Sequence, residues 1–342
     1  MRAMRFSEVG RAEIIELPNP VPKAGEVVVK VKAAGICASD IAAFQGKHDV
    51  RRPPLIGGHE LAGEIVEVGP GVQDRVIGER VGVEPYATCG VCPFCRRGDS
   101  EQCLARRTLG VGDWTGAFAE FVVARERMCH VLPAGMSWEE AAALEPFCVG
   151  LHAVRRASLR AGETVAIVGV GVIGLMTLLS TRCCAPRWVC TMDPRALTRE
   201  VSLRCGADLA LDPDAGDPVE KVLAATDQLG VDVVFVAVAS ESALRQAAQM
   251  CRRMGRLVVI ASFFTGALEL RQLVARERTV IGSFGSTVDE YALAIRLWER
   301  GDLPHLSSLL TERIRLTDAP SVVAAMARGE RKERIKITIA FD

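Results

Sequence analysis

The hydrophobic pattern of the chain changes near residue 150. Before that point, short β-rich runs such as residues 26–31 and 63–68 are separated by glycine and proline, and no long helical period is present. From about residue 161, apolar runs of four to eight residues alternate with helix-length amphipathic segments, which is typical of a parallel sheet with helical crossovers. The second half predicts six strands, over residues 164–168, 188–192, 208–211, 231–238, 256–260 and 279–284. We therefore predict an α/β protein in which a β-rich domain precedes a doubly wound parallel sheet.

The length of 342 residues also favours two domains, because it exceeds what one domain usually holds. We expect the first domain over residues 1–150 and the second over residues 151–288. The remainder, residues 289–342, starts with a helix-like stretch over 289–300 and ends in a β-like run over 334–341. We expect this remainder to return to the first domain.

Composition narrows the class of protein. Hydrophobic residues make up 49% and charged residues 25% of the chain, which excludes wholesale disorder. The 42 basic residues balance 42 acidic ones, so a broad basic surface for nucleic acid or an anionic membrane is not expected, and a small-molecule partner is favoured. The N-terminal residues lack the features of a secretory signal, so we expect a cytoplasmic protein whose 12 cysteines have a role other than disulfides.

A glycine motif follows the first strand of the second domain. The segment VAIVGVGVIGL places Gly169, Gly171 and Gly174 as GxGxxG between a predicted strand and a predicted helix. There the first glycine allows a tight turn, the second lets the backbone approach a pyrophosphate, and the third lets helix and strand pack closely. The residues expected to contact a dinucleotide are Gly169, Gly171, Val172, Ile173 and Gly174. The uncharged run that contains them, residues 164–181, reaches the lower limit of a membrane span, but the motif is the better interpretation and no membrane association is predicted.

An acidic residue, Asp193, follows Gly174 by 19 positions at the end of the next predicted strand. Its carboxylate can bind the ribose hydroxyls of NAD and repel the 2′-phosphate of NADP. Arg195 and Arg199 follow closely and could weaken this preference, although solvated charges on a helix are the more common role of such residues. We predict NAD as the cofactor.

Four cysteines form a closely spaced cluster. Cys89, Cys92, Cys95 and Cys103 follow the pattern CxxCxxCx₇C on a loop rich in glycine and proline. Four thiolates suit one tetrahedral zinc ion with no open position, which describes a structural site. An iron–sulfur cluster also uses thiolates, but the bacterial ferredoxin run has a different spacing. Disulfides do not suit a chain without a secretory signal, and a zinc ribbon for nucleic acid does not suit zero net charge.

Two other motifs, GICASD and GGHELAG, each carry potential metal ligands just after a β-rich run. Cys37, His59 and either Glu60 or Glu145 would provide three ligands and leave one position for water or substrate, as a catalytic zinc requires. Spacing alone does not establish the site, because a cysteine and a histidine 22 residues apart are usually unrelated core residues.

Taken together, the motifs resemble the zinc-dependent medium-chain dehydrogenases of the alcohol dehydrogenase family. The chain carries, in the order of that family, GICASD, GHE with the trailing GEIVEVGPGV, the four-cysteine loop, GAFAEF, LEPFCVGLHA and GVGVIG. The details are similar to the sorbitol and threonine dehydrogenase branch, in which a carboxylate, here Glu145, stands where other members have a second zinc-binding cysteine. The resemblance implies a GroES-like β-rich catalytic domain, a Rossmann domain, and hydride transfer between NAD and a secondary alcohol. Polyols, sugars and their acids, cyclitols and amino alcohols are all compatible substrates.

The resemblance also implies roles at the catalytic zinc. Cys37 and His59 would bind the metal. Glu60 and Glu145 would both lie at it, one bound directly and the other bound or hydrogen-bonded to its water, with no ranking between them. Asp40 would accept a hydrogen bond from the far ring nitrogen of His59 and so fix the tautomer of the imidazole.

Three further positions follow from the same resemblance. Ser39 would contact the substrate oxygen and take its proton onward, although a turn or a helix N-cap is the alternative role for Ser39 and Asp40. Lys336 would reach the cofactor pyrophosphate, with an ordinary surface lysine as the alternative. Ala42 departs from the family, since many relatives have a histidine there that ends the proton path. We therefore expect the proton to leave from Ser39 through the ribose and water, or through another base such as Glu60 or Glu145.

Two alternatives to this function remain. A zinc-free quinone or enoyl reductase of the same fold would leave the cysteines and His59 without a purpose. A non-enzymatic regulatory protein that binds NAD or zinc is the alternative outside enzymes. The family also implies a homodimer or homotetramer.

Overall fold

The computed structural model of the chain describes residues 1–261, 266–330 and 333–341. Its strands are β1 (Arg2–Glu8), β2 (Arg11–Glu16), β3 (Glu26–Gly35), β4 (Glu60–Val68), β5 (Arg80–Val83), β6 (Tyr86–Ala87), β7 (Arg107–Thr108), β8 (Phe121–Arg125), β9 (Cys129–Val131), β10 (Thr164–Val168), β11 (Trp188–Met192), β12 (Leu209–Leu211), β13 (Val231–Val236), β14 (Cys251–Val259), β15 (Thr279–Gly282), β16 (Leu310–Arg315) and β17 (Lys336–Ala340). Its helices are α1 (Ala38–Phe44), α2 (Pro93–Arg97), α3 (Trp138–Arg156), α4 (Val172–Arg182), α5 (Ala196–Arg204), α6 (Pro218–Ala224), α7 (Glu241–Met250), α8 (Leu270–Val274), α9 (Val288–Glu299) and α10 (Ala319–Ala327). Short 3₁₀ turns cover Ser100–Gln102, Glu126–Met128, Ser307–Leu309 and Leu316–Asp318.

The chain divides into two compact units. The first unit comprises Met1–Glu145, Thr287–Gly301 and Leu310–Asp342, and the second comprises Pro146–Ser286 and Asp302–Leu309. The division therefore lies close to the expected residue 150, and the chain returns to the first unit near the expected residue 288.

Residues 302–309 differ from the expectation that everything after residue 288 returns to the first domain. This segment belongs to the second unit, and its leucines Leu303, Leu306 and Leu309 are buried. Apolar side chains spaced three residues apart lie on one side of a tight turn, so they need apolar cover there. Residues 331, 332 and 342 of the expected tail lie outside the described residues.

The first unit is built on a seven-stranded sheet. Its order is β16-β17-β3-β4-β5-β9, with β8 also paired to β3, and every pairing except that of β16 with β17 is antiparallel. Val29 of β3 and Leu61 and Ile65 of β4 are fully buried in its core. The pairing of β3 with β4 sets Gly35 opposite Glu60 and so brings the GICASD and GGHELAG motifs together.

The second unit holds six parallel strands in the order β12-β11-β10-β13-β14-β15. Its first strand in sequence, β10, lies inside the sheet, and the chain moves outward from it in both directions. This is the doubly wound order, in which ligands bind beyond the carboxyl ends of the strands at the point of reversal. The glycine motif follows β10 at that point.

The predicted strands of the second half all exist, with small differences in length. The first two have the predicted ends, while β13 and β15 stop two residues early and β12 begins one residue late. The largest difference is β14, which begins at Cys251 rather than at residue 256. Its first residues read Cys-Arg-Arg, and this polar start hides the strand from a search for apolar runs.

The uncharged run over residues 164–181 consists of β10, the glycine turn and most of α4. In the part of the chain that the structure describes, no helix is long and apolar enough to cross a membrane.

Candidate active site

The GGHELAG motif packs against GAFAEF. Gly58 has a φ of 86°, and a Cβ on it would lie 2.7 Å from the ring of Phe118. The backbone N–H of Phe118 donates to the carbonyl of Gly57 at 3.0 Å, and that of Ala117 donates to the carbonyl of Gly58 at 3.0 Å. These contacts fix the loop that ends at His59.

Three of the expected metal ligands lie together. The ligand atoms of Cys37, His59 and Glu60 are within 4.8 Å of one another, and His59 and Glu60 are buried. Cys37 directly precedes α1, while His59 directly precedes β4 and Glu60 begins it. A thiolate, an imidazole and a carboxylate at this spacing fit a mixed zinc site with an open position.

Gly35 makes room for this cluster. A Cβ on Gly35 would lie 1.9 Å from Oε2 of Glu60 and 2.8 Å from Cε of Lys336. No side chain fits between the two strands at this point, so the first glycine of GICASD is required by packing.

Glu145 lies near the cluster but outside the group of three. It sits on α3 directly before Pro146 and is 3% exposed. Burial is the main cause that raises the pKa of Glu145. The charge of His59 lowers this pKa and that of Glu60 raises it, and the result is about 7. The structure therefore places Glu60 closest to the other two ligands and keeps Glu145 within electrostatic range.

Asp40 is a buried carboxylate that organises the loops. It accepts hydrogen bonds from the backbone N–H of Cys37 at 3.0 Å and of Gly58 at 3.2 Å, and its Oδ1 lies 3.7 Å from Nδ1 of His59. Burial alone would raise its pKa, but His59, Arg51 and the Cys37 N–H together hold it well below the usual range. The N-cap of α1 is Cys37, so the N-cap role expected as an alternative for Ser39 or Asp40 is wrong; Asp40 is the N3 residue of a capping box and also lies beside His59.

Lys336 is buried, so the alternative of an ordinary surface lysine is wrong. It is 1% exposed, its Nζ donates to the carbonyl of Ile36 at 3.0 Å, and it forms an ion pair with Glu60. Burial alone would lower its pKa, but Glu60 outweighs this and the pKa rises. Its contact with Glu60 arises because β17 pairs with β3 and directs this side chain to the start of β4, and the contact with a pyrophosphate stays a prediction.

Arg51 is a site residue that sequence reasoning missed. It is 6% exposed, and its Nη1 lies 3.2 Å from Oδ1 of Asp40, 3.3 Å from Oγ of Ser39 and 2.7 Å from Nδ1 of His59. Its neighbour Arg52 is exposed and donates to the carbonyl of Asp49. Nothing in the sequence Arg-Arg-Pro-Pro distinguishes the buried arginine from the exposed one.

The four-cysteine loop brings its thiols together. The sulfur atoms of Cys89, Cys92, Cys95 and Cys103 lie within 4.8 Å of one another. The Cys92 N–H donates to the sulfur of Cys89 at 3.3 Å, and the Cys89 N–H donates to the sulfur of Cys103 at 3.2 Å. Hydrogen bonds from the backbone N–H groups of Cys95 and Leu104 lower the pKa of Cys92 to about 6. Such N–H groups stabilise thiolates, which is the form that binds zinc.

The glycine turn of the second unit has the shape that its sequence predicts. Gly169 has a φ of 84°, and a Cβ on it would lie 2.5 Å from Cβ of Val238. A Cβ on Gly174 would lie 2.0 Å from the carbonyl oxygen of Gly169, whereas Gly171 has more space, with its nearest neighbour at 3.6 Å. Val172 and Ile173 form the first turn of α4 and are partly exposed. The cradle therefore fits a pyrophosphate at the start of a helix.

Asp193 lies beside this turn. Its Oδ2 accepts from the backbone N–H of Val170 at 3.0 Å, and its Oδ1 accepts from both the backbone and the side chain of Arg195 at 3.0 and 3.1 Å. Although burial alone would raise the pKa of Asp193, the bonds from Arg195 lower it. Arg199 instead pairs with Asp212 at 2.9 Å.

Comparison with known proteins places these features in a family. Residues 23–134 match the alcohol dehydrogenase GroES-like domain, and residues 169–300 match the zinc-binding dehydrogenase domain. Sorbitol dehydrogenase from Bacillus subtilis is 34% identical over 264 residues, which cover 76% of this chain and 74% of that protein. L-threonine 3-dehydrogenase from Pyrococcus furiosus is 32% identical, with 88% of each chain covered. A structure from Sinorhizobium meliloti, whose description names a zinc-binding dehydrogenase bound to NADP, superimposes with a TM-score of 0.91 at 29% identity and 99% coverage of both chains.

The chain belongs to the zinc-binding alcohol dehydrogenase family, in its medium-chain sorbitol and threonine dehydrogenase branch. It is an oxidoreductase that transfers a hydride between an alcohol and a nicotinamide cofactor. The family resemblance, the GroES-like and Rossmann folds, and the reaction class predicted from the motifs are confirmed.

Proposed function

We propose that this dehydrogenase oxidises a secondary alcohol of the polyol or amino-alcohol type with NAD and zinc. The observation that carries the proposal is the group formed by Cys37, His59 and Glu60, whose ligand atoms lie within 4.8 Å of one another beside Ser39 and Asp40. The relatives named for sorbitol and threonine act on such alcohols, which supports the substrate class.

Two zinc ions per chain are part of the proposal. Cys37, His59 and one or both of Glu60 and Glu145 would hold the first. The four cysteines of the loop, Cys89, Cys92, Cys95 and Cys103, would hold the second. When bound at the first site, zinc supplies a Lewis acid that stabilises negative charge on the substrate oxygen. A closed four-thiolate site leaves no position for substrate, so the second ion would be structural.

The protein residues around the first site have separate tasks. Asp40 holds the loops of Cys37 and Gly58 through its two backbone hydrogen bonds and keeps the imidazole of His59 in place. Ser39 would receive the proton of the substrate hydroxyl and pass its own proton onward. Lys336 would limit how far Glu60 can move, because the ammonium and the carboxylate form a buried ion pair.

We propose NAD rather than NADP as the preferred cofactor. Gly169, Gly171 and Gly174, with Val172 and Ile173 at the helix start, would hold the pyrophosphate, and Asp193 would bind the adenosine ribose. NAD supplies the hydride acceptor when it is bound. Arg195 neutralises part of the Asp193 charge, and the structural relative from Sinorhizobium meliloti carries NADP, so the preference is expected to be moderate.

The two units would have separate functions. We propose that the first unit, including the returning segments, is the catalytic zinc-binding domain and that the second is the NAD-binding domain. A homodimer or homotetramer and a cytoplasmic location stay predictions from the sequence.

A substrate panel tests this function. Purified protein is mixed with polyols, sugar acids, cyclitols and amino alcohols, each with NAD or NADP, and the absorbance of the reduced nicotinamide is followed. We expect turnover of at least one secondary alcohol, higher kcat/KM with NAD, and two zinc ions per chain by elemental analysis. Protein that contains zinc but reduces neither cofactor with any of these alcohols would contradict the proposed substrate class.

A further inference from the structure

The buried guanidinium of Arg51 contacts the hydroxyl of Ser39. A single nitrogen, Nη1, makes its three side-chain contacts, to Ser39, Asp40 and His59. The side chain is 7% exposed and pairs with the 1% exposed carboxylate of Asp40, so its position is fixed by a buried ion pair. The group is therefore held in place rather than free to sample solvent.

The chemistry of the two groups fixes which of them donates. A guanidinium has only donors and stays protonated, whereas a serine hydroxyl has one donor and two acceptor lone pairs. In the contact of 3.3 Å, Nη1 of Arg51 must donate to Oγ of Ser39. One lone pair of Oγ is then occupied, and its remaining lone pair and its proton point away from Arg51.

Metal binding would change the contact between Arg51 and His59. Nη1 of Arg51 lies 2.7 Å from Nδ1 of His59, which is a hydrogen bond only when this ring nitrogen is unprotonated and accepts. A neutral imidazole that gives one nitrogen to a metal either carries its proton on Nδ1 or uses Nδ1 for the metal. Nδ1 cannot accept from Arg51 in either case. The N–H groups of Nη1 then donate to Asp40 and Ser39.

We propose that Arg51 is a positioning residue that orients the hydroxyl of Ser39 for proton transfer from the alcohol, an inference that rests on the proposed function. Ser39 Oγ accepts from Arg51 with one lone pair and takes the alcohol proton with the other. At the same time it releases its own proton to the ribose hydroxyl and water, so one proton enters and one leaves. Arg51 never gives up a proton, because a guanidinium does not deprotonate in this pH range.

An oriented hydroxyl on Ser39 matters in this chain because the proton path lacks a histidine. Ala42 occupies the position where a histidine ends the proton path in many relatives, so no imidazole fixes the direction of the relay there. The proton of a serine hydroxyl can rotate to face the alcohol, Arg51, or the path toward the ribose and water. The N–H donor of Arg51 excludes the position that faces Arg51, so a hydroxyl whose other lone pair faces the alcohol must direct its proton to the path.

A double-mutant cycle tests the proposal. Arg51→Met removes the donor and Ser39→Ala removes the hydroxyl, and kcat for alcohol oxidation is measured in both single variants and in the double variant. We expect Arg51→Met to lower kcat by about tenfold or more in the wild type, and by less than about twofold in the Ser39→Ala protein. The kcat ratio between H₂O and D₂O should rise in Arg51→Met, since proton transfer becomes slower.

Controls separate this role from a structural one. Arg52→Met changes the exposed neighbour and should leave kcat and the isotope ratio unchanged. Arg51→Lys keeps a positive charge beside Asp40 and N–H donors on one nitrogen, so it should restore part of kcat. If Arg51→Met does not fold, the comparison of Arg51→Lys with the wild type replaces it in the cycle. Both Arg51 variants should keep the zinc content of the wild type.

Additive losses in the cycle, or loss of one zinc from Arg51→Lys, would overturn the proposal, because Arg51 would then act through Asp40 and the metal site. These results require an active wild type. A wild type that is inactive with every alcohol would instead overturn the proposed function, and the Arg51 role with it.

Discussion

At Gly35 the backbone of β3 passes so close to β4 that a single methyl group would disturb the site. A Cβ would lie 1.9 Å from Oε2 of Glu60 and 2.8 Å from Cε of Lys336. Gly35→Ala should therefore displace Glu60 and lower kcat/KM by at least about tenfold, with zinc falling from two ions toward one per chain. Kinetics and elemental analysis measure both effects.

Gly282→Ala is the matched control for this change, because nothing lies within 4 Å of a Cβ at that position. It should leave activity and zinc content unchanged. Full activity and two zinc ions in Gly35→Ala would show that the strands can separate and that the close contact has no consequence.

Cofactor choice is also decided at single residues. Asp193 accepts from the side chain of Arg195, which reduces the repulsion that its carboxylate would exert on a 2′-phosphate. Asp193→Ser removes both the ribose contact and the repulsion, so the ratio of kcat/KM for NAD to that for NADP should fall by about tenfold, equivalent to about 1.4 kcal/mol. The exposed Asp214 provides the control, since Asp214→Ser should not change this ratio. A wild type that prefers NADP would show that Arg195 outweighs Asp193.

The segment that follows α1 contains a histidine that could replace the missing proton acceptor, His48. Its Nδ1 accepts from the backbone N–H groups of Val50 and Arg51, each at 3.2 Å. Burial and the charge of Arg51 lower the pKa of His48 below its usual value of 6.5, so the ring is already neutral at pH 7. We expect kcat of the wild type and of His48→Gln to follow the same pH curve between about pH 5 and 9, a range that includes the titration of a histidine.

Ala42→His provides the comparison for this pH series, because it places an imidazole at the position used by many relatives. It should add a titration step near the ordinary histidine pKa of about 6.5. A step of that kind that is already present in the wild type and disappears in His48→Gln would show that His48 has taken over the relay.

The four-cysteine loop and the loop before α1 should respond differently to the loss of a thiol. Cys89→Ser removes one of the four expected zinc ligands from a loop that has few apolar contacts of its own. The melting temperature should therefore fall by roughly 5 °C or more. Cys37→Ser should abolish turnover and leave the melting temperature nearly unchanged. Cys183→Ser alters an exposed cysteine outside both groups and should have neither effect. Equal melting temperatures for Cys89→Ser and wild type would argue against a structural metal in the loop.

For the whole molecule, stepwise removal of metal should separate activity from folding. The closed group of four thiols exchanges metal more slowly than a site with an open position, because all four ligands must be displaced. A chelator should therefore remove about one zinc per chain with loss of activity and no change in near-ultraviolet circular dichroism, and added zinc should restore activity. Simultaneous loss of both ions and of the folded signal would contradict two independent sites.

Sequence reasoning reached the fold because its signals are local. The alternation of apolar runs and amphipathic segments predicts β10 to β15, and the strand-turn-helix order identifies the glycine turn, since each feature depends on neighbouring residues. The four-cysteine group was predicted for a related reason, since few residue types bind zinc and close spacing restricts the choice. Cys37 and His59 lie too far apart for spacing to pair them, and only the family resemblance predicted them as ligands of one metal.

The contacts that tertiary structure decided lie far apart in the sequence. Lys336 donates to the carbonyl of Ile36 across 300 positions, and only the pairing of β17 with β3 directs it to Glu60. Arg51 and Arg52 are chemically identical, and only the turn of the chain before β4 buries the first and exposes the second. The sequence by itself therefore determined which residues can bind metal and nucleotide. The register of distant strands decided which charges surround them, because a charged side chain gives no local sign of the partner that will neutralise it.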